Sequence, residues 1–113
     1  MSRDYRLYLD DIQDAAEKIR DYIQGLSFDE FSADNKTFDA VVLNLQIIGE
    51  ATKHIPDSVK EKYPAIDWRR IAGLRDVIVH GYFGLNEDVL WDVAQNRVPQ
   101  LLEQIRDVLA KEG

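Results

Sequence analysis

The stretch from Asn35 to His54, NKTFDAVVLNLQIIGEATKH, decides the fold of this chain. Its apolar residues recur every three or four positions, which is the period of an α-helix and not of a strand. Asp34 or Asn35 can cap the start of this helix, and Pro56 lies just beyond its end. The apolar stripe contains Phe38, Val41, Val42, Leu45, Ile48 and Thr52, and it is widened by Leu43, Ile47 and Ala51. So wide a stripe predicts the central, most buried helix of the protein.

The sequence before this helix predicts one more long helix and a connector. Apolar residues keep helical spacing from Tyr5 to Leu26, and Gly25 stands near the expected stop. Residues 27–34 are then a connector, and we expect its Phe28 and Phe31 to pack onto the core.

The sequence after the central helix predicts a short helix and two long ones. Residues 56–63 form the short helix, because proline is favoured in a first turn. A third long helix starts near Asp67 and stops at Gly81, and Asn86 can cap the fourth. Pro99 cannot continue a regular hydrogen-bond ladder, so we expect a kink or a restart there. The predicted fold is all-α, an antiparallel four-helix up-and-down bundle with an extra short helix.

Composition places this chain among ordinary globular proteins. Its 113 residues are enough for one domain, residues 1–113, and they contain no cysteine for a disulfide or thiolate site. With only two histidines, His54 and His80, a zinc site is not expected. No glycine-rich nucleotide loop is present, nor is the Gly-Ser and paired-Asp pattern of nucleotidyltransferases, so no cofactor is predicted. No signal region or membrane-length apolar run is present, and a cytoplasmic location without membrane contact is expected.

Charge is distributed unevenly along the chain. The net charge of −7 argues against a general nucleic-acid binder, because contact with phosphates needs local positive potential. Residues 53–75, however, contain six Lys or Arg against three Asp or Glu, a net of +3, whereas residues 1–52 and 76–113 carry −6 and −4. A site for an anionic ligand and a merely solvated surface explain this segment equally well. Its exposed candidates for such a site are Lys53, Arg69 and Arg70.

Arg75 lies on the apolar side of the third long helix. At about 100° per residue its neighbours within about 60° are Ile71, Ile78 and Val79. A lone charge there is costly unless it is paired. Glu50 or Asn44, polar residues of the central helix, can be the buried partner; the alternative is that both face water.

Three further side chains are gathered at the end of the same helix. Asp76 and His80 are four residues apart, so the carboxylate can orient the imidazole, and Tyr82 follows the helix stop. Taken singly, Arg75, His80 and Tyr82 also have structural explanations. They are, in that order, an ion pair or part of a dimer seam, a charge that complements the helix C-terminus, and an amphipathic plug. Trp68 and Trp91 can stack on nucleobases, but anchoring in the core is the more common role.

The pattern Arg75-x4-His80-x-Tyr82 resembles the signature of the HEPN superfamily, specifically the HepT-type toxins that accompany MNT-type nucleotidyltransferases. The resemblance extends over essentially the whole chain. Its other segments are Asn44–Ala51 (NLQIIGEA), Lys62–Trp68 (KYPAIDW), Ile71–Arg75 (IAGLR), His80–Gly84 (HGYFG) and Val98–Leu102 (VPQLL). It implies the HEPN-like bundle and a homodimer whose two-fold axis joins two copies of the motif into one composite site.

The resemblance also implies the toxin of a type II-like toxin–antitoxin system, a metal-independent endoribonuclease that cleaves tRNA or mRNA. Such cleavage needs a base for the 2′-hydroxyl, a cation for the developing phosphorane charge and an acid for the leaving oxygen. His80 and Arg75 can supply these groups if two copies meet, with Asp76, Asn44 and Glu50 as supporting residues and the basic segment as the RNA contact.

Tyr82 has a separate implied role. In this family the tyrosine two residues after the histidine accepts AMP from the cognate nucleotidyltransferase antitoxin, and the added phosphate charge would occupy the site and repel RNA. The alternative is a non-catalytic interaction or nucleotide-binding subunit of a nucleotidyltransferase complex, which the charge of −7 favours.

Overall fold

The structure is a computed structural model. It describes the backbone of residues 3–81 and 87–113 and the side chains of residues 3–75 and 87–113. The helices are α1 (Tyr5–Ile23), α2 (Phe28–Ala33), α3 (Asn35–Lys53), α4 (Asp57–Lys60), α5 (Trp68–Gly81), α6 (Glu87–Asp92) and α7 (Val98–Glu112), with a π-helical turn, Val93–Arg97, between the last two. No strand occurs in the part of the chain described.

Four long segments form the antiparallel bundle that the sequence predicts, so the all-α prediction is confirmed. They are α1, α3, α5 and the segment formed by α6, the π-helical turn and α7. α3 packs against both α1 and α5, while α1 also packs against α7. The core is aliphatic apart from Phe31 and Trp68, and residues such as Ile12, Ile48 and Ile105 are fully buried in it. Among the described residues, no helix combines the length and apolar character needed to cross a membrane.

The predicted connector after α1 contains a helix of its own, α2. Gly25 ends α1 with a φ of +78°, a conformation that glycine adopts without strain. Ser27 then accepts a hydrogen bond from the backbone N–H of Glu30, whose carboxylate accepts one from the backbone N–H of Ser27. This capping box starts α2. Phe31 is fully buried as expected, whereas Phe28 is half-buried.

The last segment confirms the irregularity predicted at Pro99. The amide of Val98 bonds to the carbonyl of Val93, five residues earlier, and α7 restarts with Pro99 in its first turn. Because proline has no N–H and its ring crowds the carbonyl four residues before it, widening the preceding turn lets the helix continue. Asn86, the predicted cap, lies outside the described residues.

The prediction that α3 is buried on its widened face is wrong. Ala51 is buried, but Leu43 and Ile47 are 56% and 38% exposed. α1 and α5 cover two sides of α3 and leave these residues uncovered within the chain. The two tryptophans anchor the structure, which is the role that the sequence analysis favoured over base stacking. The indole N–H of Trp68 donates to the carbonyl of Tyr63, and Trp91 packs 5.0 Å from Phe31, centroid to centroid.

Candidate active site

The helix that carries the motif passes very close to α3 at Gly49. A Cβ atom added to Gly49 would lie 2.6 Å from the backbone nitrogen of Arg75 and 2.8 Å from its Cβ, closer than real contacts allow. The backbones of α3 and α5 therefore meet where α3 has no side chain. As a result, the next residue of α3, Glu50, reaches the side chain of Arg75.

Arg75 forms an ion pair with Glu50 across the two helices. Arg75 Nε lies 3.1 Å from Glu50 Oε2, within hydrogen-bond distance. The Arg75 side chain is 37% exposed and that of Glu50 is 51% exposed, so the predicted pairing is present but the predicted burial is not. The charge stands at the protein surface, where a dissolved anion can reach it.

Asn44 is not the partner of Arg75. Its side chain is buried, and its amide donates a hydrogen bond of 2.8 Å to the carbonyl of Ala40 in the same helix. This bond satisfies the amide inside α3. Asn44 therefore has a structural role, and the supporting position near the motif belongs to Glu50.

His54 is a member of this site that the sequence analysis did not predict. Its Nε2 lies 3.5 Å from Glu50 Oε1, so one carboxylate faces Arg75 with one oxygen and His54 with the other. The imidazole also stacks on the Tyr8 ring, with centroids 4.6 Å apart and planes inclined by 13°. The signal was the spacing of Glu50 and His54, four residues apart on one helix.

The candidate basic residues lie toward the same end of the α3–α5 pair. These helices run antiparallel, with Gly49 opposite Arg75. Residues that follow Gly49 in α3 therefore lie toward the end of the bundle where α5 begins. Lys53, Arg69 and Arg70 share that end, and all three side chains are exposed.

A groove of about 380 Å³ lies between α5 and the segment formed by α6 and α7. Apolar side chains from α3, α5 and α7 form much of its lining, together with Arg70 and Arg97. Arg75 and Glu50 are not among the lining residues. Arg70 thus borders a different concavity from the arginine of the motif.

Comparison with known proteins agrees with the signature and with the helical bundle. A family model described as "Ribonuclease HepT-like" matches residues 12–108. This chain belongs to the HepT-like ribonuclease family. A candidate RNase of Methanocaldococcus jannaschii is 39% identical to this HepT-like chain over 107 residues, covering 95% of this chain and 88% of that protein. A candidate ribonuclease HepT of Thermococcus cleftensis is 42% identical over 101 residues, covering 89% and 92%. No solved structure matches.

The remaining residues of the HepT-like signature follow Arg75 along the chain. Residues 76 and 80 belong to α5, which runs to Gly81. The side chains of Asp76 and His80, and the whole of Tyr82, lie outside the described residues. The described part of the candidate site is therefore Arg75 with Glu50 and His54.

Proposed function

We propose that this chain is a metal-independent endoribonuclease whose catalytic groups are Arg75 and His80. The observation that carries the proposal is the partly exposed Arg75, whose Nε lies 3.1 Å from Glu50. The same helix contains His80, five residues after Arg75, and the chain belongs to the HepT-like family. The expected substrate is tRNA or mRNA. The same proposal makes the protein the toxin of a type II-like HEPN/MNT toxin–antitoxin system.

Arg75 would stabilise the charge that develops on the scissile phosphate. A guanidinium binds phosphate oxygens through a planar fork, and its charge is permanent at neutral pH. The contact of Arg75 Nε with Glu50 restrains the plane of the guanidinium. Such preorganisation matters because the electrostatic stabilisation of a transition state depends on donors that need not reorient. Glu50 would therefore position the cation, with no proton transfer of its own.

His80 would move protons. An imidazole can take the proton from the ribose 2′-hydroxyl or donate one to the leaving 5′-oxygen near neutral pH. One copy of the motif supplies one histidine for two such steps. A two-fold dimer that brings two motifs together would supply both.

The exposed apolar residues of α3 support such a dimer. Leu43, Ile47 and Glu50 follow one another at helical spacing, so the uncovered apolar strip leads directly to the partner of Arg75. A self-association surface on this strip would bring two copies of Arg75 close to one two-fold axis.

The dimer is tested by Leu43→Asp and Ile47→Asp. Each variant should shift the protein from dimer to monomer at micromolar concentration in analytical ultracentrifugation and should retain helical circular dichroism. Leu7→Asp is the matched control, because Leu7 is a similarly exposed apolar residue (45%) on α1. A wild-type monomer, or dissociation by the control alone, contradicts this part of the proposal.

Cleavage is tested with purified, unmodified protein, bulk tRNA and mRNA in the presence of a chelator. His80→Ala should lower the rate by about 10²–10⁴-fold, which is typical for the loss of a general acid or base. Arg75→Ala should lower it by about 10²–10³-fold, which is typical for the loss of one group that stabilises the transition-state charge. Arg106→Ala is the control, because it removes another surface ion pair between helices, Arg106–Glu17 at 3.0 Å. If the wild type leaves RNA intact, or if both variants cleave RNA at the wild-type rate, the proposed ribonuclease activity of this site is contradicted.

Control of the activity is proposed to act at Tyr82. The cognate MNT-type nucleotidyltransferase would transfer AMP to the Tyr82 hydroxyl, and the added negative charge beside the phosphate-binding Arg75 would exclude RNA. Intact-mass measurement after incubation with the partner and ATP should show one or more AMP units on the wild type and none on Tyr82→Phe. Undiminished addition to Tyr82→Phe would place the modification elsewhere.

A second candidate is a non-catalytic or nucleotide-binding subunit of the nucleotidyltransferase complex. The net charge of −7 favours it, since most of the surface repels a polyanion. Under this alternative the chain binds its partner but leaves RNA intact, so the cleavage assay separates the two functions.

A further inference from the structure

Tyr8 contacts both His54 and Arg3 beside the candidate active site. The Tyr8 and His54 rings are nearly parallel, with centroids 4.6 Å apart. The guanidinium of Arg3 lies 4.6 Å from the centroid of Tyr8 and is held by Asp11 at 2.7 Å. The tyrosine is thus a backing layer that restrains the plane of His54.

About half of the His54 side chain is exposed to solvent. Tyr8 covers one face of the imidazole, and the Nε2 edge faces Glu50. The side chain nevertheless remains 49% exposed, so a large part of it is accessible outside these two contacts. His54 is the C-cap of α3, so its ring stands at the end of that helix, against Tyr8 of α1.

The exposed imidazole of His54 lies one side chain away from Arg75. Glu50 bridges the two, with one oxygen toward His54 and the other toward Arg75. Lys53, also exposed, precedes His54 at the same end of α3. A flat ring next to a phosphate-binding cation is the arrangement by which proteins hold single-stranded RNA, with the base stacked and the backbone bound by charge.

We propose that His54 is a base-stacking residue, whose exposed ring receives one unpaired nucleobase of the RNA strand that Arg75 holds. The inference rests on the proposed function, because it takes the occupant to be RNA. Stacking requires only the flat face of a base, so this subsite favours a single-stranded substrate and tolerates any of the four bases. The backing by Tyr8 and Arg3 reduces the rotamer entropy that His54 loses on binding.

The experiment combines protein variants with substrate variants. Fluorescence anisotropy measures the binding of 2′-O-methyl hexanucleotides, which lack the attacking hydroxyl, to the full-length protein. One abasic position is moved along the strand. The proteins are the wild type, His54→Ala, His54→Phe and, as a control for an exposed aromatic, Tyr22→Ala. Tyr22 is 42% exposed and lies 14 residues beyond Tyr8 in α1.

One abasic position should weaken binding by the wild type by about 5- to 150-fold, the range for losing one base–aromatic stack. His54→Ala should bind the intact strand more weakly by a similar factor and should no longer respond at that position. His54→Phe keeps an aromatic ring and loses the contact with Glu50. It should restore both the affinity for the intact strand and the response to the abasic position, and Tyr22→Ala should behave as the wild type.

The inference is overturned if His54→Ala weakens the binding of every strand, intact or abasic, by the same factor. It is also overturned if His54→Phe binds RNA as weakly as His54→Ala does, because a structural role of His54 would then explain the loss of affinity. A wild type that cleaves RNA but shows no base-dependent coupling to His54 contradicts the stacking alone. A wild type that neither binds nor cleaves RNA contradicts the proposed function together with it.

Discussion

Gly49 controls the distance between the two helices that form the candidate site. Its missing side chain lets the backbone of α5 approach at Arg75, and this approach brings the guanidinium within 3.1 Å of Glu50. The chemistry of Arg75 therefore depends on a residue that has no functional group. Gly73, on α5 itself, meets nothing within 4 Å of an added Cβ and carries no such constraint.

We expect Gly49→Ala to lower the free energy of unfolding by about 1–3 kcal/mol, because the new methyl group forces α3 and α5 apart. Gly73→Ala, the matched control, should instead raise it by about 0.5–1 kcal/mol through helix propensity. Urea unfolding followed by circular dichroism at one fixed protein concentration measures both. Equal effects of the two variants would show that the close approach is not required.

At the scale of elements, α2 is a six-residue helix that depends on contacts with the rest of the protein. The capping box at Ser27 and Glu30 starts it. Phe31 then inserts between Phe38 and Trp91, with ring centroids 5.8 Å and 5.0 Å away. α2 thereby joins the beginning of α3 to the beginning of the last helical segment.

We expect Phe31→Ala to lower the free energy of unfolding by about 3–5 kcal/mol, the cost of emptying a buried aromatic site. Phe28→Ala should cost clearly less, since Phe28 is half-buried and touches Trp91 only edge-on at 6.4 Å. The same urea unfolding experiment compares them. Similar losses would mean that α2 is not anchored mainly through Phe31.

At the scale of the whole molecule, Glu112 connects three distant parts of the chain. It accepts hydrogen bonds of 2.7 Å from the hydroxyls of Tyr5 and Tyr63, and Lys62 lies 3.4 Å away. The Glu112 side chain is 7% exposed. These bonds tie the end of α7 to the first turn of α1 and to the loop before α5. They hold the pKa of Glu112 below its ordinary value and, because the phenol donates to a carboxylate, raise the pKa of Tyr63 to about 12.

The pKa shifts predict how stability depends on pH. The raised pKa of Tyr63 gives stability that is complete below pH 10 and is lost between pH 10 and about 12, because the unfolded tyrosine ionises first. The lowered pKa of Glu112 gives stability that is present above its ordinary pKa of 4.5 and is lost as the pH falls through the folded-state value.

Urea unfolding at several pH values measures this linkage. Tyr63→Phe should flatten the loss of stability between pH 10 and 12, whereas Tyr22→Phe, a change at an exposed tyrosine, should leave it as in the wild type. An unchanged alkaline slope in Tyr63→Phe would contradict the role of its hydrogen bond to Glu112.

The sequence by itself determined the helices, because the signals for helices are local. Apolar periodicity located α1, α3, α5 and α7, and the missing N–H of Pro99 located the irregular turn before α7. The capping box at Ser27 and Glu30 is an equally local signal. The helix that it starts has only six residues, too few for apolar periodicity to reveal it. Leu43 and Ile47 were wrongly expected to be buried, since a stripe shows that a face is apolar but not whether the same chain covers it.

The residues of the candidate site also fall into those that the sequence indicated and those that only the tertiary structure revealed. The sequence alone pointed to Arg75, because a charge within an apolar stripe is visible without knowledge of the neighbours. Only the tertiary structure decided that Glu50 and not Asn44 faces it, and that His54 and Tyr8 extend the site. Helical spacing relates residues of one helix, as with Glu50 and His54. Which residue of α3 meets Arg75 depends on where two helices touch, and the absence of a single Cβ atom at Gly49 allows that contact.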